Sequence, residues 1–173
     1  MPTDAYLLDT SIASIVFDAD HPSHDAIRTR VLGLGAGSTV WICSISLGEV
    51  EYGLQISPAI PVERHAAIRA TLGRYHVYNV DQHTAHYYGE LRGALFSRFA
   101  TREAKGRLKQ KQPEALLDPT TSKELGVQEN DIWILAVAIQ YNLTFVTLDR
   151  MTRLVEAAVE VHSYDRVSLW TVG

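Results

Sequence analysis

The chain has 173 residues, the length of one ordinary domain and enough to bury roughly 70% of its unfolded surface. Its composition, 46% hydrophobic and 21% charged, excludes a disordered chain, and its single cysteine, Cys43, excludes an internal disulfide and a cysteine-based zinc site. The formal net charge of −4 disfavours binding polyanions with the whole surface, so for nucleic acid the distribution of charge matters more than its sum.

The N-terminal MPTDAYLLDTS carries no basic region and Asp9 interrupts its apolar stretch, so it does not read as a signal peptide. Residues 5–8 read as a first strand running directly into Asp9 and a helix from position 10. A second helix is expected over 23–34, stopped by the glycine-rich turn at 33–37, and a second strand over 39–44 (TVWICS). Ser46 is expected to open the next helix, because Ser46-Leu-Gly-Glu49 has the capping-box spacing, and Pro58 and Pro61 to close it. A helix over 62–72, a third strand over 75–80 and a long helix over 82–99 follow. Residues 100–126 are polar, contain Pro113 and Pro119, and show no apolar periodicity. A largely buried helix over 130–141 comes next, with Asn142 as a left-handed cap. Its apolar run, 132–139, is far short of the roughly 20 residues that cross a bilayer. Residues 143–148 read as the fourth strand and 159–162 as a fifth. Strands alternating with helices predict a parallel α/β sheet with helices on both faces. No internal repeat or second domain is evident. The expectation is one cytoplasmic domain over 1–173, interrupted by an insertion-like basic segment at 100–126 and making no membrane contact.

In an open parallel sheet, ligands bind beyond the carboxyl ends of the strands. Asp9 follows the first strand and Asp149 the fourth. Glu49 lies in the first turn of the helix after strand two, and Asp131 in the first turn of the helix before strand four. Each alone is well explained as a helix cap or a first-turn acid complementing the helix dipole. Four carboxylates expected at one sheet edge are harder to explain, because their repulsion costs stability unless a cation lies among them. An all-oxygen donor set suits Mg²⁺, with Mn²⁺ as the alternative, better than Zn²⁺, and such ions serve phosphoryl chemistry.

The segments YLLDTSI, SLGEVEYG, ENDIWILAVAI and TFVTLDR resemble, in order and over nearly the whole chain, the four motifs of PIN-domain nucleases, especially the VapC-type toxins. The resemblance implies a three-layer α/β/α sandwich with a central parallel sheet of about five strands. It implies a Mg²⁺- or Mn²⁺-dependent endoribonuclease with Asp9, Glu49, Asp131 and Asp149 as the acidic site. In that scheme Asp9, Asp131 and Asp149 hold the ion, and Glu49 is a further ligand or positions water. Thr10 and Thr147 match supporting hydroxyl positions. Cleavage would leave a 5′-phosphate and a 3′-hydroxyl. Many such toxins dimerise and are silenced by an antitoxin, so a homodimer and a cognate antitoxin are the partners implied, besides RNA. Segment 100–126 is longer than in compact family members.

Arg102, Lys105, Arg107, Lys109 and Lys111 alternate through that segment with only Glu103 opposing them. They read equally well as an RNA-backbone clamp or as a solvated face. His21/His24 and His83/His86 lack the nearby acid of a metal motif and read as surface or partly packed residues. Cys43, Trp41, Trp133 and Trp170 read as core or interface residues. An aspartate-dependent phosphotransferase would need a second acid at position 11, which is Ser11. A receiver-like signalling domain would need a lysine beyond the last strand, and none follows Lys123. A non-toxin PIN nuclease in RNA processing, or a catalytically silent PIN-like or receiver-like binding or signalling module, stands as the remaining alternative.

Overall fold

The computed structural model describes residues 4–57 and 59–172. Pro58, expected to help end the third helix, lies outside them. Among the described residues the order is β1 (Ala5–Leu8), α1 (Thr10–Phe17), α2 (His24–Leu32), β2 (Thr39–Cys43), α3 (Ser44–Ile56), α4 (Val62–Leu72), β3 (His76–Tyr78), α5 (Gln82–Phe99), α6 (Glu129–Gln140), β4 (Thr144–Thr147), α7 (Thr152–His162) and β5 (Val167–Leu169). None of these helices is long and apolar enough to cross a membrane. The chain divides into two compact units. The first comprises Met1–Val80, Asn142–Arg150 and Arg166–Gly173, and the second Asp81–Tyr141 and Met151–Asp165.

The first unit holds the five-stranded sheet, parallel throughout, in the order β3-β2-β1-β4-β5. Its strands are short apolar runs with β-branched and aromatic residues, the composition of strands buried on both faces. Leu8, Ile42 and Val146 pack with Ile12, Val16 and Phe17 of α1, Ile27 of α2, Val50 and Leu54 of α3, and Ile68 and Leu72 of α4. Leu7, Cys43 and Phe145 alternate to the opposite face and are equally buried. Burying each such aliphatic or aromatic side chain contributes about 1.5–3 kcal/mol, so this layer fixes the strand ends in place. The glycine turn acts as predicted. Gly33 caps α2 through its N–H to the Thr29 carbonyl, 2.9 Å, and Gly37 takes a φ of 92°.

In the second unit α5 packs against α6 and α7. An Asp81–Thr84 capping box starts α5. Segment 100–126, which shows no apolar periodicity in the sequence, folds into two small hairpins with a 3-10 turn, Pro113–Ala115, between them. One is closed by an Arg102–Leu108 bridge, with Gly106 at a φ of 77° in its turn. The other is closed by a Leu117–Glu124 bridge around Asp118, whose carboxylate accepts the N–H groups of Thr120 and Thr121. Buried Pro113, Leu116 and Val127 anchor the segment, and Arg153 of α7 pairs with Asp118 at 2.6 Å.

Two predicted elements differ from the structure. Residues 159–162 are the last turn of α7, not a strand. The buried positions of that helix, Leu154, Ala157 and Ala158, recur at helical spacing, while Val159 and Val161 face outward. The fifth strand is Val167–Leu169, paired with β4. Ser46 does not open α3, which begins two residues earlier with Cys43 at the cap position. Ser46 is instead a buried residue within the first turn, 3.7 Å from the Cys43 sulfur. The Ser46–Glu49 capping box is therefore absent, and Glu49 is not explained by it.

Candidate active site

The sheet order places the reversal of winding between β1 and β4, where open α/β sheets bind ligands beyond the carboxyl ends of their strands. Asp9 stands at that point. Its backbone N–H extends the β1–β4 ladder to the Val146 carbonyl at 2.8 Å, and the helix α1 begins at the next residue. Asp9 occupies the cap position of α1, yet its carboxylate does not take the second- or third-residue backbone N–H that a capping side chain takes. Its Oδ2 instead accepts the hydroxyls of Ser11, 2.8 Å, and Thr147, 2.9 Å. The residue is 3% exposed. Burial raises the Asp9 carboxyl above the ordinary value of 3.8, and the charge of Asp149 pushes the same way. Hydrogen bonds from Ser11, Thr147 and the Thr10 backbone oppose the rise without cancelling it.

The neighbouring groups form a short relay. Thr147, fully buried at the end of β4, donates to Asp9 and accepts the backbone N–H of Asp149 at 3.0 Å. Asp149 itself is exposed. The Thr10 hydroxyl donates to a carboxylate oxygen of Glu49 on α3. Asp9, Glu49, Asp149, Thr10 and Thr147 thus all belong to one corner of the first unit. Ser11 joins them, a residue that sequence reasoning noted only as the missing second acid of a phosphotransferase. The available signal was its hydroxyl two residues after a strand-end aspartate, within reach of that carboxylate.

Asp131 belongs to the second unit and is held differently. Its Oδ2 accepts the Gln128 backbone N–H at 2.8 Å in the capping box that starts α6. The helix-start explanation of this residue is therefore realised in the structure, whatever else it does. Two residues earlier, Glu129 accepts from Tyr88 and Arg92, and Trp133 stacks on Tyr88 with ring centroids 3.7 Å apart.

Among the described residues no three His, Cys, Asp or Glu side chains stand together as a ready-made cage for an ion. The donor chemistry around Asp9 nevertheless fits a hard divalent cation. Every group is an oxygen, and both burial and Asp149 work against the Asp9 charge, a cost that a cation relieves. The histidines do other work. His21 accepts the Ser23 N–H, and His24 shares a hydrogen bond with the Ile15 carbonyl. Cys43 is buried, and burial raises its thiol, with the Asp9 charge adding to the effect. Arg102, Lys105, Arg107, Lys109 and Lys111 are all exposed on and beside the first hairpin.

Solved structures of similar fold include VapBC assemblies. VapBC2 from Rickettsia felis bound to a DNA fragment from their promoter is 23% identical, covers 96% of this chain and 99% of the other, and gives a TM-score of 0.63. DNA-bound VapBC from Salmonella typhimurium is 21% identical over 98% and 100% of the two chains, also at 0.63. A toxin–antitoxin complex from Klebsiella pneumoniae is 16% identical over 94% and 95%, at 0.55. No curated protein sequence matches. The PIN domain family model matches residues 6–158, which include every acidic position above. The chain belongs to the PIN domain family.

Proposed function

We propose that this protein is a Mg²⁺-dependent endoribonuclease, with Mn²⁺ able to substitute, and the toxin of a toxin–antitoxin pair acting in the cytoplasm. The observation that carries the reading is Asp9. A buried carboxylate at the sheet's switch point is held by two hydroxyls, opposed by Asp149, and not used as a helix cap. Arrangements that perturb a carboxylate in this way cluster at functional sites. Asp9 and Asp149 would hold the ion with Asp131, and Glu49 would be a further ligand or orient water. Asp131 is included on its motif, Glu129-Asn-Asp131-Ile-Trp133, within the matched family segment.

When bound, the ion would polarise the scissile phosphate and lower the pKa of water. The chain's own residues do the rest. Ser11 and Thr147 fix the Asp9 carboxylate in one orientation, and their hydrogen bonds favour its charged form against burial. Thr10 fixes Glu49, whose carboxylate can accept a proton from the attacking water. Exposed Arg102, Lys105, Arg107, Lys109 and Lys111 supply local positive charge for the RNA backbone in a chain whose net charge is −4. Hydrolysis would break the bond between phosphorus and the 3′ oxygen, leaving a 5′-phosphate and a 3′-hydroxyl. A cognate antitoxin and a homodimer are the protein partners proposed, by likeness to the VapBC assemblies and the Klebsiella pneumoniae toxin–antitoxin complex.

Induction of the protein and of Asp9→Asn in cells, followed by mapping of new RNA 5′ ends, tests the proposal. Growth arrest with discrete ends that require Asp9 is the expected result. Ends that appear equally with Asp9→Asn would remove the assignment, and no new ends at all would favour a silent binding module.

A further inference from the structure

The second unit contains a groove of about 740 Å³ between α5 and the first hairpin, a size typical of ligand pockets. Its apolar wall is Phe96, Gly93 and Leu108, and its cations are Arg92, Arg107, Lys109 and Lys111, with Glu103 the one acid among the lining residues. Arg92 is already engaged. It donates to Glu129, Tyr88 and the Lys111 carbonyl, the last at 2.6 Å, and lies 5.1 Å from the Phe96 ring centre, which fixes the hairpin's end to α5. Arg107, Lys109 and Lys111 are exposed and make no ion pair among the described residues. Three uncompensated cations thus rim an apolar wall in a chain that is otherwise acidic.

We infer that this groove is a nucleotide-binding subsite for unpaired RNA, its cations on the phosphates and a splayed base against Leu108 and the small part of Phe96 left open beside Arg92. The inference rests on the ribonuclease reading for its choice of polyanion. A base reaches such a wall only when it is out of a duplex, so the groove selects single strands over helices. Gly93 keeps the groove open. A Cβ built there meets nothing within 4 Å, so a longer side chain enters the groove without disturbing α5.

The test measures binding by fluorescence anisotropy in chelator, which leaves RNA uncut. The probes are a labelled single-stranded oligouridylate of about ten nucleotides, an RNA duplex of that length and a polyglutamate peptide. The single strand should bind most tightly. Gly93→Met should weaken it by about tenfold or more, within the range that stacking one base contributes, while melting temperature and salt dependence stay unchanged. The double substitution Arg107→Gln/Lys109→Gln should flatten the plot of log affinity against log salt by about 1.4, two phosphate contacts at the single-strand slope. It also decides the matter should Gly93→Met fail to fold, because both side chains are exposed. Wild-type binding by both variants, or a groove that takes polyglutamate and not the oligonucleotide, would overturn the inference. Parallel cleavage assays with Mg²⁺ separate the two claims. Wild-type protein that cuts RNA while the groove variants bind and cut normally sinks only the groove. Wild-type protein that binds through the groove and cuts nothing sinks only the nuclease.

Discussion

Asp9 and Asp131 were expected to share one chemistry, yet the two units hold them in opposite ways. Asp9 sits where a capping residue would sit and does not cap. Its carboxylate is buried, accepts side-chain hydroxyls, and is raised by burial and by Asp149. Asp131 is half-buried and spends one oxygen on the Gln128 N–H that starts α6. Stability alone explains Asp131. It does not explain Asp9, which costs the fold something at neutral pH. A carboxylate buried at a cost is the stronger mark of function.

The comparison is sharpest in mutants. Asp9→Asn should lower RNA cleavage by about a thousandfold or more, since loss of the ion removes several kcal/mol of transition-state stabilisation. Its melting temperature should equal or exceed that of the wild type, because a neutral amide escapes the desolvation and repulsion. Asp131→Asn should lose cleavage comparably while keeping an acceptor for the cap, with stability changed by less than about 0.5 kcal/mol. Asp131→Ala should lose the cap as well, at about 0.5–2 kcal/mol by denaturant titration. A stable, inactive Asp131→Asn separates catalysis from capping.

Next in size is Thr147→Val, which leaves both Asp9 and the Asp149 N–H without the shared hydroxyl. A loss of about 1–3 kcal/mol in stability is expected, together with reduced cleavage. No change in either would show that the relay between β4 and Asp9 is idle. The pH dependence is the finest probe. The folded Asp9 carboxyl lies above its unfolded value of 3.8, so the folded state binds the extra proton in the window above 3.8. This contribution to stability is present in acid and lost as pH rises through the folded pKa. Asp118 behaves oppositely. The Arg153 guanidinium lowers its carboxyl, so its contribution is present above 3.8 and lost as pH falls. The melting temperature of Asp9→Asn relative to wild type should therefore rise with pH, and that of Asp118→Asn should fall. Added Mg²⁺ should narrow the Asp9 difference by stabilising the wild-type carboxylate.

Much of this was legible in the residues. Strands one to four are short apolar runs bounded by turn residues, with Asp9 and Asp149 just after two of them, Glu49 within α3 and Asp131 in the first turn of α6. Less visible was anything that depends on partners distant in sequence. Asp118 organises the second hairpin through Arg153, 35 residues away, and positive φ at Gly106 and Ser122 sets the turns, so no periodicity marks segment 100–126. The run 159–162 is β-branched in type, and only the packing of Leu154, Ala157 and Ala158 shows it to be helix. The capping-box spacing at Ser46 was satisfied by chance, whereas the real box at Gln128–Asp131 begins with a residue that seldom caps. Ser11 could be read only once the Asp9 carboxylate was seen to take the Ser11 and Thr147 hydroxyls in place of a helix-capping N–H.

Asp9 is proposed to anchor a metal-dependent cut. Single-turnover cleavage of purified cellular RNA, run with Mg²⁺, with chelator and with Asp9→Asn, tests it directly. Discrete products bearing 5′-phosphates are expected only for the wild-type chain with the ion present. Cleavage that survives chelation, or that proceeds at the wild-type rate in Asp9→Asn, would contradict it.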